Sequence, residues 1–261
     1  QAGTRLEPVT ITGTDLYIAL DLSRSMSAED MQGSRLDRAK ITATELIRSL
    51  RGDRAGLILF AGDAFVQCPL TTDYTALLMF LESLNTGSTV GGGTNLSAPL
   101  RAAMRALSPE EDTYSILLLI TDGENSGGDL EKTVREVKKR GIKVFCIGLG
   151  TEAGVPISLY DEQGRRTGYL KDRQGKVVIS SLQESLLRGI SEQTGGYYFR
   201  ADRSHDEVNK FLSSLETLKK REIETKKFTV YEERFQIPLG CGILFFFLYV
   251  FSLTRTRRLA W

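Results

Sequence analysis

The sequence predicts an α/β fold: a doubly wound, mostly parallel sheet of six strands with one antiparallel edge strand, followed by a C-terminal transmembrane helix. Short continuous apolar runs such as Leu16–Leu20 and Ile116–Ile120 have the pattern of strands covered on both faces. They alternate with stretches in which apolar residues recur at helical spacing, and such alternation gives parallel neighbours joined by right-handed crossovers. Finally, residues 237–253 carry almost no polar side chain. With Phe235 and Gln236 they reach about the nineteen residues needed to cross a bilayer.

Residues 1–14 form a polar lead-in in which Val9 and Ile11 alternate with polar neighbours. Leu16–Leu20 is the first strand and delivers Asp21 to the sheet edge. Leu36, Ala39, Ala43, Leu46, Ile47 and Leu50 then recur at helical spacing, which predicts a helix over 35–51 with one face on the sheet. Gly56–Phe60 is the next buried strand, and Ala64–Leu70 returns after the turn at Gly62-Asp63, so this hairpin supplies the antiparallel edge. Residues 74–84 read as a helix. The loop 85–93 carries Gly87, Gly91, Gly92 and Gly93, which lets backbone approach a ligand closely. Thr94 or Asn95 is placed to cap a helix whose inner face is Leu96, Leu100, Ala103, Met104 and Leu107.

The run Ile116–Ile120 is the most apolar strand, hence central, and Asp122 leaves it. Gly127-Gly128-Asp129 opens a helix over 129–140 before the strand 143–149. Residues 151–181 break the rhythm with Gly154, Pro156, Gly164, Gly168 and Gly175 and read as an inserted hairpin. A helix over 182–193, a strand over 196–200 and a helix over 205–219 complete a domain over 15–219. A charged stalk over 220–234, the transmembrane helix over 235–254 and a basic tail over 255–261 follow. The chain begins with Gln1 rather than Met, so residues upstream of it are expected.

Composition narrows the function. Lys and Arg total 34 against 33 for Asp and Glu, which gives no electrostatic reason to propose nucleic-acid binding. The 261 residues with 41% hydrophobic content support one globular domain plus an anchor. Cys68, Cys146 and Cys241 lie in apolar stretches without metal-ligand spacing and read as small buried side chains rather than disulfide partners. His205 is the only histidine, so Ser-His-Asp chemistry has little to use. The Gly91-Gly92-Gly93-Thr94 run lacks the lysine of a phosphate loop.

Asp21-Leu22-Ser23-Arg24-Ser25 sets one carboxylate and two hydroxyls at alternate positions on the turn leaving a buried strand. Such oxygens can converge on a small hard cation, Mg²⁺ or Mn²⁺. Thr94 in the Gly-rich loop and Asp122 after the central strand have the composition to complete the set, because loops at the carboxyl edge of an open α/β sheet meet there. Ser and Asp after a strand also commonly just cap helices. Two further readings stay open at this point. One is a metal-dependent phosphohydrolase, although Asp21-Leu22-Ser23 lacks the second aspartate of a nucleophile pair; the other is a scaffold whose ion only stiffens the loops.

The D-x-S-x-S run at Asp21, Ser23 and Ser25, Thr94 in its Gly-rich loop, and Asp122 in T-D-G resemble the metal-ion-dependent adhesion site of von Willebrand factor A domains. Residues 65–71 and the insert around 169–172 are similar to the membrane-anchored bacterial aerotolerance (Bat) proteins. The resemblance implies a non-enzymatic protein-binding module in which Asp21, Ser23, Ser25, Thr94 and Asp122 hold the ion and an Asp or Glu of a partner completes its coordination. It also implies work beside other A-domain proteins and an AAA+ ATPase of the MoxR type, in envelope stress or complex assembly. For orientation, Arg255, Arg257 and Arg258 after the apolar run stand against Lys220, Arg221, Lys226, Lys227 and Arg234 before it, and the charge rule leaves both topologies open. The resemblance implies an inner-membrane protein whose domain faces the periplasm.

Overall fold

The computed structural model describes residues 13–84, 93–107, 113–161, 163, 165–202, 206–226 and 243. Contacts divide the chain into two units, Ile11–Leu218 and a second made of Gln1–Thr10 with Lys219–Trp261. The sheet lies within the first.

That sheet has six strands: β1 (Gly13–Asp21), β2 (Arg54–Phe60), β3 (Ala64–Thr71), β4 (Thr113–Thr121), β5 (Lys143–Gly148) and, last in the chain, a short strand at Tyr198–Arg200. In space the order runs from the Tyr198–Arg200 strand through β5, β4, β1 and β2 to β3. All pairings are parallel except β2 with β3, as the hairpin at Gly62-Asp63 predicts. The chain moves to one side of β1 through β2 and to the other through β4. The carboxyl ends of β1 and β4 therefore flank the point where strand order reverses, the usual place for a ligand.

Side-chain alternation along β1 builds two cores. Leu16, Ile18 and Leu20 face one side, with Leu36, Leu46 and Ile47 of α1 (Arg35–Ser49) and Phe211 of the last helix. Tyr17 and Ala19 face the other, with Leu100 and Ala103 of α3 (Ser97–Ala106), Val134 and Val137 of α4 (Leu130–Lys139), and Leu187 and Ile190 of α5 (Glu184–Thr194). The remaining helices are α2 (Tyr74–Ser83) and α6 (Glu207–Lys226). Phe145 of β5 meets Phe211 edge to face at 5.0 Å between ring centres, a favoured aromatic geometry.

Helix starts follow their caps. Ser34 accepts from the Asp37 amide and Asp37 reciprocates at the Ser34 amide, a full capping box on α1. Asp73 caps α2 and Asp129 caps α4. At α3 the cap position is Leu96, one residue past the predicted pair, and it has no side-chain cap; Asn95 still takes part by accepting from the Ser97 amide at 3.0 Å.

Two further elements differ from expectation. The insert is not one hairpin but two short ladders. β6 (Val155–Pro156) pairs with β9 (Ile179–Ser180), and between them β7 (Ser158–Tyr160) pairs with β8 (Arg166–Tyr169). The strand at Tyr198–Arg200 is thus β10. The frequent turns of the insert divide its pairing into short ladders, although Pro156 and Gly168 themselves pair, with Ile179 and Leu159. α6 continues to Lys226, into the range read as stalk, since Lys, Arg and Glu are good helix formers with nothing to stop them. Cys68 and Cys146 are buried and free. The apolar run at 235–254, Cys241 and His205 lie outside the described residues, apart from Ile243. Among the described residues no helix is long and apolar enough to cross a membrane.

Candidate metal centre at the carboxyl edge

Asp21 is the last residue of β1 and is fully buried. One of its carboxylate oxygens accepts from the Ser23 amide at 2.8 Å and the other from the Thr121 hydroxyl at 2.6 Å. The first bond folds the chain back at once, so that Ser23 precedes a short helical turn at Arg24–Ser27. Ser23 and Ser25 thereby come side by side, their Oγ atoms 2.9 Å apart. Thr121 also accepts from the Gly123 amide at 3.0 Å, which ties the exit of β4 to the exit of β1.

Thr94 reaches the same place by another route. Its amide donates to the Ser126 hydroxyl at 3.0 Å, and the Ser126 amide donates back to the Thr94 carbonyl at 2.8 Å. Asn125 accepts from the Leu96 amide at 3.0 Å. The loop after β4 therefore clamps the Thr94 loop. Gly93 and Gly123 both have left-handed backbones (φ +88° and +80°), and a Cβ on either would stand 2.6 Å from the Ser126 hydroxyl or 2.9 Å from the Leu187 side chain. Glycine is required at both.

Ser23, Ser25 and Thr94 line one cavity of about 650 Å³. Asp21 and Asp122 are fully buried and contribute charge rather than surface. The five residues expected at the site are thus brought to one edge, three as hydroxyls on the cavity and two as carboxylates behind it.

Arg35 is the residue that sequence reasoning missed. It is fully buried, and its guanidinium donates to Asp122 at 2.9 Å and to the Ser180 hydroxyl at 2.6 Å. It also forms a two-pronged pair with Asp30 at 2.8 and 2.7 Å. Asp30 in turn accepts from the Thr151 amide at 2.8 Å. A signal existed: Arg35 is the first residue of α1, where a cation opposes the helix dipole and needs a partner elsewhere.

The electrostatics show a shortage of positive charge. Burial, and then the neighbouring Asp122, push the Asp21 carboxyl up to about 7. Burial and Asp122 likewise raise Glu124. Asp30 goes the other way: burial opposes ionisation, but the bonds and charge of Arg35 outweigh it and hold the carboxyl below its ordinary range. One guanidinium therefore serves Asp30 and Asp122, and among the described residues no cation pairs with Asp21. Burial raises both described cysteines, Cys146 to about 12, which leaves their thiols inert.

The donor set fits a small divalent ion. Mg²⁺ holds oxygens at about 2.0–2.1 Å and right angles, so adjacent ligands stand about 2.9 Å apart. That is the Ser23–Ser25 separation. A cation between these hydroxyls and the buried carboxylates would also supply the missing charge. Among the described residues there is no cluster of three or more His, Cys, Asp or Glu side chains arranged for a metal, so the hydroxyls are indispensable to this fit.

The von Willebrand factor type A domain model matches residues 16–124. The structure of an aerotolerance-related membrane protein from Bacteroides fragilis NCTC 9343 is 35% identical, with a TM-score of 0.73 over 78% of this chain and 100% of that one. BatB from Bacteroides thetaiotaomicron is 35% identical, with a TM-score of 0.74 over 80% of this chain and 100% of that one. Proximal thread matrix protein 1 from the mussel byssus, with a zinc-occupied MIDAS motif, shares the fold at 18% identity and a TM-score of 0.54, over 78% of this chain and 45% of that one. The chain spans 46–69% of the length of the curated relatives it matches here; a Borreliella burgdorferi protein 26% identical over 247 residues is covered to 69%.

Proposed function

The chain belongs to the von Willebrand factor type A domain family, among the aerotolerance-related membrane proteins, and on that premise we propose that it is a membrane-anchored, Mg²⁺-dependent protein-binding module. Ser23, Ser25 and Thr94 hold the ion through their hydroxyls, while Asp21 and Asp122 act directly or through bound water; Mn²⁺ fits the same donors. Because Arg35 offsets part of the charge of Asp122 at 2.9 Å and the three hydroxyl ligands are neutral, the ion keeps much of its positive charge. It stays electrophilic toward a carboxylate of a partner, an Asp or Glu that completes the coordination.

The observation that carries this reading is the pair of serine hydroxyls 2.9 Å apart in front of a buried carboxylate that lacks a cation among the described residues. The zinc-occupied site of the mussel protein supports the same use of the fold. Partners under this reading include other A-domain proteins and a MoxR-type AAA+ ATPase, in envelope stress or complex assembly. The apolar run at 235–254 anchors the chain in the inner membrane with the domain facing the periplasm. No reaction is assigned to the site.

The test is capture of envelope proteins on the full chain in Mg²⁺, in EDTA, and with Asp21→Ala. A partner retained only by the unaltered chain in Mg²⁺ is the expected result. Equal retention in all three arms would leave any ion a structural part.

A further inference from the structure

The cavity that carries the three hydroxyls also has an apolar wall. Besides Ser23, Ser25 and Thr94 it is lined by Ile157, Leu170, Val178, Ile179 and Leu186. Four of these five come from the insert, and only Leu186 belongs to α5.

Main-chain hydrogen bonds fix this wall. The Ile157 amide donates to the Val178 carbonyl at 3.4 Å, the Val178 amide to the Leu170 carbonyl at 2.8 Å, and the Leu170 amide to the Ile157 carbonyl at 2.9 Å. This ring brings three apolar residues from separate segments together. The insert is also tied to the carboxylate loop. The Gln183 amide donates to the Asp122 carbonyl at 2.8 Å, and Ser180 receives Arg35 at 2.6 Å and lies 3.4 Å from Asp122. The apolar wall therefore keeps a set position relative to the oxygen donors. Ile179 is nevertheless 56% exposed and Leu170, Val178 and Leu186 are half-buried, so together they leave an apolar patch beside the polar site, and such a patch marks a contact surface.

We infer that the cavity takes a peptide segment of a partner in which an Asp or Glu stands next to a bulky aliphatic or aromatic residue: the carboxylate goes to the ion and the apolar side chain covers Ile179 and Leu170. This rests on the metal reading above and adds the second half of the recognised motif. The charge of the ion selects the carboxylate end. A space of about 650 Å³ is of the size that holds a drug-sized ligand, far more than one carboxylate needs. The exposed face of the insert supplies a place for the rest.

The experiment uses the full chain in lipid nanodiscs with Mn²⁺ and two probes, N-acetyl-Asp-amide and N-acetyl-Asp-Leu-amide. Paramagnetic broadening of the probe protons reads their binding beside the ion, and the Mn²⁺ affinity is measured separately. The leucine probe should bind about tenfold more tightly, about 1.4 kcal/mol. Ile179→Ser, at an exposed position, should reduce that preference to twofold or less without changing Mn²⁺ affinity, and Leu170→Ala should act the same way. Equal binding of the two probes to the unaltered chain, or a preference that survives both substitutions, would overturn the inference while the metal reading stands. Failure to bind Mn²⁺, or to bind either probe once Mn²⁺ is bound, would overturn both.

Discussion

Replacing Asp21 by Asn should have opposite effects on stability in the absence and presence of metal. The carboxyl of Asp21 moves from its ordinary 3.8 to about 7 on folding, because it is buried and faces Asp122. Each tenfold change in proton affinity is about 1.4 kcal/mol, so keeping Asp21 ionised above pH 7 costs the metal-free protein about 4 kcal/mol. Asn removes the charge, and its amide can donate to the Thr121 hydroxyl while its oxygen keeps the Ser23 amide. Thr121 must then redirect its own proton, so the net gain is about 2–4 kcal/mol. The sign with pH follows. A raised carboxyl means that the metal-free protein gains stability as pH falls from about 7 toward 4, and the Asn variant lacks that gain.

In a domain of this size, 1 kcal/mol moves Tm by about 2–4 °C. Thermal unfolding of the full chain in detergent, at pH 8 with EDTA, should therefore place Asp21→Asn about 4–16 °C above the unaltered chain. Metal reverses the order of response. With Mg²⁺ at a hundred times its Kd the unaltered chain gains about 2.7 kcal/mol, and the variant gains nothing. A variant less stable than the unaltered chain in EDTA at pH 8 would refute the charge-deficit reasoning, because the carboxylate's hydrogen bonds would then outweigh its desolvation. An equal Mg²⁺ response in both would remove the ion from this site.

Two other substitutions test the supports of the site. Arg35→Met keeps the volume but strands Asp30 and Asp122, and breaking a buried pair from one side costs about 3–5 kcal/mol; Tm should fall by about 6–20 °C, and a fall under 2 °C would show that the pair adds no net stability. Gly123→Ala forces a side chain onto a backbone at φ +80° and against Leu187 at 2.9 Å; a loss of about 1–3 kcal/mol is expected, and an unchanged Tm would mean that the turn relaxes freely.

Much of the architecture was legible along the chain because it depends on neighbours only a few residues apart. The apolar runs at 16–20, 56–60 and 116–120 became buried strands β1, β2 and β4, and the turn at Gly62-Asp63 fixed the antiparallel edge. The positions of Asp21 and Asp122 at strand exits followed from the same pattern, as did the meeting of their loops at the reversal of strand order.

What the chain could not disclose depends on contacts across it. Arg35 finds Asp122 over a separation of 87 residues and Ser180 over 145; no local periodicity encodes such a pair. The Thr94 loop is held by Asn125 and Ser126 for the same reason. The insert read as one hairpin because its turns are local signals, and β7 with β8 is such a local pair, whereas the β6–β9 ladder and the apolar wall arise from pairing between distant segments of the insert. Sequence alone determined which atoms were available for a metal and on which edge they would stand. The tertiary structure decided how those atoms are charged, by giving Asp122 a buried guanidinium and, among the described residues, leaving Asp21 without one, because burial sets the value of a charge and burial belongs to the folded whole.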